Sequence, residues 1–209
     1  MVSSNIRLLL ARHGRTAWNF ERRFQGRTDV PLDEVGRAQA FELAHTLRGR
    51  FEAVLASDLS RASETAQIIA DALDLPLLGL DPDLRERAYG EFEGLTGAEC
   101  EARYPELWRA TRGDRNFMPP GGEPIAEVVA RMERGLARCI ERVRVRYQAA
   151  LVVGHGSALR IFLEHVSGGP VDPFANLEYR ELLHDGERFA VGAGDSATEA
   201  AGVGYGRER

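Results

Sequence analysis

Arg12, His13 and Gly14 follow directly on an apolar run in "IRLLLARHGRTAWN" (residues 6–19), and the same grammar returns in "ALVVGHGSALRIF" (150–162), where His155 lies between two glycines. Both histidines therefore stand where a buried strand ends and a helical pattern begins. A third junction of this kind, "LASDLSRASETA" (55–66), carries Arg61 one turn into its helix. Two arginines and two histidines gathered at strand ends suit a phosphoryl group. Guanidinium forks match phosphate oxygens bidentately and stabilise charge on them during transfer. A neutral imidazole is a competent nucleophile near pH 7, and its attack on phosphorus gives a phosphohistidine that water can hydrolyse. The departing alkoxide then needs a proton, for which "DLRERAYGEFEGLTG" (83–97) offers Glu86, Glu91 and Glu93.

Other chemistries fit this chain less well. It has no G-x-x-x-x-G-K-[ST] loop, which argues against a P-loop kinase. Two histidines with no carboxylate ligands beside them make a poor metal site. Cys100 and Cys139 form no C-x-x-C pair, so neither a cysteine zinc site nor a disulfide framework is expected. A net charge of −5 speaks against non-specific nucleic-acid binding, so an anion site must be a local concentration of Arg and His. No stretch reaches the roughly 18 apolar residues of a membrane span, and the N-terminus meets a charge too early for a secretory signal. A cytoplasmic protein without membrane or nucleic-acid partners is the expectation.

The elements that must position these residues read as strands alternating with helices. Strands are expected at 6–11, 52–57, 75–80 and in the run "AALVVG" before His155, with two more at 177–183 and 187–191 joined by "HDGE". A helix is expected within 31–49, capped by Asp33, with Ala38, Phe41, Ala44 and Leu47 on its apolar face. Another spans 58–73 on Ala62, Ala66, Ile69 and Leu73. A third spans 131–147, starting near Glu123, with a stripe of Met132, Leu136, Cys139, Ile140 and Val143. The segment "SALRIFLEHV" continues as a helix after His155. This is the pattern of a three-layer α/β/α sandwich with a mostly parallel sheet and antiparallel edges. Residues 95–124 interrupt the alternation as a short helical lid within one domain spanning 1–191. The Gly-, Ala- and Ser-rich tail 192–209 reads as mobile. In open sheets of this kind, ligands bind beyond the carboxyl ends of the strands, where Arg12, His13 and His155 converge.

The chain resembles the histidine phosphatase superfamily, the phosphoglycerate-mutase-like proteins. It does so through "RHGRTAWN", "RFQGRTDVPLDEVGRAQA", "SDLSRASETA", "LRERAYGEFEG", "PPGGEP" and "VVGHGSALR", all in family order. The resemblance implies that His13 is the phosphorylated nucleophile and that Arg12 and Arg61 clamp the phosphate. It makes His155 the second histidine of the phosphate pocket and Glu86 the proton donor and acceptor. Asn19, Gln25 and Gly26 match substrate-contacting positions. No metal or organic cofactor is implied, and dimers are common among similar proteins, so a homodimer is an expectation. The family usually carries Glu or Gln after "RHG", whereas this chain has Arg15, a departure that implies a more positive mouth and a more anionic substrate.

The resemblance covers both phosphatases and cofactor-dependent phosphoglycerate mutases. Mutases of the family carry a longer insertion after the "EG" motif. The short segment between Gly94 and Pro120 and its "PPGGEP" ending look instead like the small broad-specificity and α-ribazole phosphatases. A shorter lid admits water, which diverts a phosphoenzyme to hydrolysis. The expectation is therefore a metal-independent phosphomonoester hydrolase acting on a small phosphorylated metabolite. A mutase is the alternative, and a non-catalytic sensor of phosphorylated ligands is the alternative of another class.

In the lid, Arg103, Arg109, Arg112 and Arg115 read as a solvated face paired with Glu99, Glu101, Glu106 and Asp114, or as contacts to a second anionic group. Trp108, Phe117 and Met118 fit either core packing or an apolar wall of the pocket. His45, His165 and His184 read as ordinary surface or boundary residues. Asn176 and Tyr179 are near a late strand and carry no assigned role.

Overall fold

The computed structural model describes residues 5–113 and 117–192. Six strands form one sheet: β1 (Ile6–Arg12), β2 (Ala53–Ala56), β3 (Leu77–Leu80), β4 (Ala149–Gly154), β5 (Tyr179–His184) and β6 (Phe189–Val191). Their order is β3-β2-β4-β1-β5-β6. β1, β2, β3 and β4 run parallel, and β5 and β6 complete the sheet antiparallel, as the alternation of elements predicts. The side-chain period of two sorts β1 cleanly. Leu8 and Leu10 join one core with Met132, Leu136 and Phe162, and Leu9 and Ala11 join the other with Ala40, Ala66 and Ile69. Both faces of the central strands are buried, which is why β1 and β4 read as continuous apolar runs.

Four long helices make the outer layers. On one side lie α2 (Glu34–Thr46) and α3 (Ser60–Leu73); on the other lie α6 (Ile125–Val143) and α7 (Gly156–Ser167). Three short α-helices join them among the described residues: α1 (Ala17–Phe20) after the first histidine corner, and α4 (Gly97–Arg103) and α5 (Pro105–Gly113) in the expected lid. α6 buries the predicted stripe, Cys139 included, but starts at Ile125 rather than Glu123 because Pro124 takes its N-cap. Asp33 caps α2 as expected, accepting from the Gly36 amide at 2.7 Å. Of the expected face of that helix, Ala44 and Leu47 turn inward beside Gly36, Ala40 and Leu43, while Ala38 and Phe41 are exposed, which corrects those two. Phe41 lies against exposed His45 instead. The expected residues Asp114 and Arg115, the side chain of Arg112 and the tail from 193 lie outside what is described.

Candidate functional site

β1 and β4 are neighbours, and Arg12 is in register with Gly154, so the two histidine corners stand side by side at the carboxyl edge of the sheet. The His13 amide donates to the Gly154 carbonyl at 3.0 Å. Ring centroids of His13 and His155 are 5.2 Å apart. The helices that follow leave on opposite sides, α2 on one and α7 on the other, which opens a crevice above the strand ends. Gly14 is required at the first corner by close approach: a Cβ there would stand 2.5 Å from the Gly36 carbonyl oxygen of α2.

A recess of about 220 Å³ at this edge is lined by Arg12, His13, Asn19, Arg23, Phe24, Gln25, Gly26, Arg61, Glu86, Tyr89 and Ser157. It thus brings together every expected site residue except His155, which is fully buried against His13. A larger recess, about 510 Å³, opens at the opposite end of the sheet. Its polar groups bond to one another: Arg7 donates to the Arg50 carbonyl, and Glu52 accepts from the Gln148 amide.

His13 Nδ1 lies 2.7 Å from the Gly14 carbonyl oxygen. A carbonyl only accepts, so Nδ1 carries the proton and the lone pair is on Nε2. Burial, reinforced by the positive charges of Arg12 and Arg61, holds this imidazole well below the ordinary histidine pKa. His155 is held low in the same way, by burial first and then by Arg61 and His13. Both rings are therefore neutral at pH 7.

Arg61 is fully buried, and its Nη atoms donate to the Gly26 and Thr28 carbonyls at 2.8 and 2.9 Å. Those bonds fix the "FQG" loop over the recess. Gly26 takes φ +53° there, and a Cβ would strike the Glu93 carboxylate. Arg12 donates to the Phe174 carbonyl at 2.7 Å. Burial lowers both guanidinium pKa values, that of Arg61 to about 10, which leaves Arg61 charged at neutral pH.

Arg12 Nε, Arg61 Nε and both ring nitrogens of His155 are buried without a protein partner, as is Oε1 of Gln25. A buried polar group left unpaired costs about 1–3 kcal/mol. The cationic and imidazole members of this group cluster around His13, and a tetrahedral oxyanion would give them the acceptors they lack.

The three candidate carboxylates separate by geometry. Glu86 faces the recess, and its carboxylate accepts from the amides of Arg87 (2.8 Å), Ser157 (3.1 Å) and Ala158 (2.8 Å), the last two at the N-terminus of α7. Glu93 is a staple, accepting from the amides of Arg27, Thr28 and Tyr89. Glu91 is exposed. Asn19 closes the capping box of α1 with Thr16, and its Oδ1 also accepts from Asn176 at 3.3 Å. Asn176 donates to the His13 carbonyl at 3.0 Å as well, so it buttresses the first corner. Tyr179 belongs to the core beneath, its hydroxyl accepting from Arg50.

Sequence reasoning missed Arg23, Phe24, Tyr89 and Ser157 as lining residues. All four lie inside quoted motifs, but spacing does not reveal which way a loop side chain points. Tyr89 and Ser157 share a 2.6 Å hydroxyl–hydroxyl bond, and burial pushes the Tyr89 phenol up to about 12. Phe24, rather than Trp108, Phe117 or Met118, supplies the aromatic wall. Trp108 packs behind it on Phe24 and Phe92, and Met118 is exposed. Arg15 is turned away from the recess: its Nε donates to Asp33 at 2.8 Å and its guanidinium covers the Phe20 ring. Arg109 pairs with Glu106 on the solvated face, as expected, while Glu99 reaches Arg23.

An α/β sheet with a cationic, histidine-floored pocket at its carboxyl edge defines a class of anion-handling domain. Within that class the chain belongs to the histidine phosphatase superfamily (branch 1), whose family model matches residues 8–191. A bifunctional protein of Mycobacterium tuberculosis is 42% identical over 75% of this chain and 43% of its own length, so the chain spans less than half of that relative. The 2,3-bisphosphoglycerate-dependent phosphoglycerate mutase 2 of Gloeobacter violaceus is 37% identical, covering 82% of this chain and 81% of the mutase. Among solved structures, mycobacterial glucosyl-3-phosphoglycerate phosphatase in complex with VO3 superposes with a TM-score of 0.78 at 29% identity, over 90% of this chain and 97% of that one. No helix of the described residues is long and apolar enough to cross a membrane.

Proposed function

We propose that this chain is a phosphomonoester hydrolase that works through a phosphohistidine on His13, with a small phosphorylated metabolite as substrate. The observation that carries the reading is the anchoring of His13. Nδ1–H is spent on the Gly14 carbonyl, and burial, reinforced by two guanidiniums, holds the ring neutral, so Nε2 presents a lone pair inside a cationic pocket. In the first step Nε2 attacks phosphorus, and the ester P–O electrons leave with the alkoxide. Glu86 protonates that oxygen, while Arg12, Arg61 and His155 hold the non-bridging oxygens. In the second step Glu86 takes a proton from water, water oxygen attacks phosphorus, and the P–N electrons return to Nε2. None of these steps calls on a metal.

Hydrolysis is favoured over mutation by the short lid and by Arg23. This further cation at the recess is engaged by Glu21 and Glu99 and by the Gly94 carbonyl, so it does not offer an open seat to a second anionic group. The test is phosphate release in EDTA from p-nitrophenyl phosphate and a panel of metabolite monoesters, with His13→Ala alongside. The panel includes 3-phosphoglycerate, with formation of 2-phosphoglycerate followed in the same tubes. Metal-independent release that vanishes in the variant is expected. Isomerisation outrunning release would make the chain a mutase, and saturable binding without turnover would make it a sensor.

A further inference from the structure

The motif "PPGGEP" has no part in the chemistry above, yet Glu123 within it is 6% exposed and Arg131 of α6 is 4% exposed. They form a two-pronged pair: Arg131 Nε to Glu123 Oε1 at 2.7 Å and Nη2 to Oε2 at 2.9 Å. Neither lines the recess. Most of their remaining bonds converge on the segment around Glu86. Arg131 Nη1 donates to the carbonyls of Asp83 (2.8 Å) and Arg85 (2.5 Å), just before Glu86. Just after it, the Ala88 amide donates to Glu123 Oε2 at 3.3 Å, and the Glu123 amide donates back to the Ala88 carbonyl at 3.0 Å. Arg87, Glu86's neighbour, donates from Nε to the Glu123 carbonyl at 2.8 Å. Arg27, next to Gly26 of the recess, adds a 2.8 Å bond to Glu123 Oε1.

We infer that the Glu123–Arg131 pair is a positioning device for the proton-transfer carboxylate: it clamps the loop on both sides of Glu86 and ties it to α6. A buried ion pair is weak evidence for stability, since apolar residues of similar volume often replace one without loss. What apolar residues cannot do is hold two carbonyls and an amide flanking one glutamate. Sub-ångström placement of the acid matters because proton transfer needs hydrogen-bond reach to the leaving oxygen.

The inference rests on Glu86 serving as the acid, and the experiment separates the two claims. kcat/KM reports phosphoryl transfer to His13, and p-nitrophenolate departs without needing a proton, whereas the alkoxide of glycerol 2-phosphate does not. In Arg131→Lys and Glu123→Gln, kcat/KM for glycerol 2-phosphate is expected to fall about 30- to 100-fold. For p-nitrophenyl phosphate it should fall less than about threefold, and the inhibition constant of inorganic phosphate should stay within about threefold. Added to Glu86→Gln, Arg131→Lys should cost little more, because both act through one group.

Equal loss on the two esters, additivity with Glu86→Gln, or unfolding of both variants by circular dichroism would overturn the inference and leave the pair a stability element. If Glu86→Gln itself fails to discriminate between the esters, the assignment of the acid falls, and the positioning role falls with it.

Discussion

The two histidine corners are built from one local plan and differ in how their rings are held. Each is an apolar strand, a histidine and a glycine, on neighbouring parallel strands. At the first corner the ring is tethered through Nδ1 to the Gly14 carbonyl. At the second, both nitrogens of His155 lack any protein partner. The tether decides the tautomer and aims one lone pair, which a nucleophile needs. A ring without a tether is free to donate to whichever oxygen arrives, which suits a group that stabilises charge. Both are driven low in pKa first by burial and then by neighbouring arginines, so the division of labour proposed for them comes from one hydrogen bond rather than from a difference in charge.

The strongest way to break that comparison is to remove each ring in turn. His13→Ala should lower kcat/KM by on the order of 10⁴-fold or more, because a nucleophile has no substitute. His155→Ala should lower it by about 10²- to 10³-fold, the usual cost of one donor to a developing oxyanion. Rapid acid-free quenching after mixing with ³²P-labelled substrate should find label on the wild type and on His155→Ala, and none on His13→Ala. Label surviving in His13→Ala would invert the roles assigned to the corners.

A smaller effect separates what the rings share from what they do not. Both have folded-state pKa values below the unfolded value of about 6.5, so the unfolded chain binds more protons in the interval between. Their contribution to stability is therefore present above about pH 6.5 and is lost as the pH falls below it, by up to about 1.4 kcal/mol per pH unit for each ring. Asp81 and Glu123, which are held low by their arginine partners against the opposing effect of burial, act only below about 4.5, so the window from 6.5 to 5 belongs to the histidines. Urea unfolding in phosphate-free buffer at pH 7.5 and 5.5 should show this slope, and His155→Asn should remove about half of it. An unchanged slope in that variant would mean the second ring is not held neutral by burial.

The corners were legible in the sequence because everything that makes them is local. An apolar run, a histidine and a glycine within a few residues specify a strand, its end and the turn that follows. Arg61 was legible for the same reason, one turn into α3. Asn19, Gln25 and Gly26 were reached only through family resemblance, since nothing in "TAWN" or "RFQG" says chemically that these loops fold back over the strand ends. Glu86 too was singled out from Glu91 and Glu93 only by the resemblance, because what separates it physically is the bonds it accepts from α7 amides far away in sequence. On α2 the spacing alone does not tell that Leu43 rather than Phe41 joins Ala44 and Leu47 in the core. The helix buries small residues, Gly36 against the backbone of Gly14 and Arg15 and Ala40 in the core with Leu9 and Ala11, and leaves the aromatic outside. Directions of loop side chains, Arg15 outward and Tyr89 inward, depend on partners brought in by the fold.

The residues that follow the two glycines carry the comparison to its smallest effect. After Gly14 comes Arg15, bound to Asp33 and stacked on Phe20; after Gly156 comes Ser157, whose hydroxyl meets Tyr89 at 2.6 Å within the recess. Equivalent positions in the two motifs thus point to opposite destinations, one to the start of α2 and one to the recess. Ser157→Ala leaves a Tyr89 hydroxyl short of its partner, at about 0.5–1.5 kcal/mol, and should lower kcat/KM about 3- to 10-fold. Arg15→Gln removes a partly exposed ion pair worth about 0.2–1 kcal/mol of stability and should leave kcat/KM within twofold for esters with neutral and anionic leaving groups alike. If Arg15→Gln instead selectively weakens turnover of the anionic esters, the guanidinium must leave Asp33 during catalysis and reach the mouth, and the first corner would contribute to substrate choice as well as to the nucleophile.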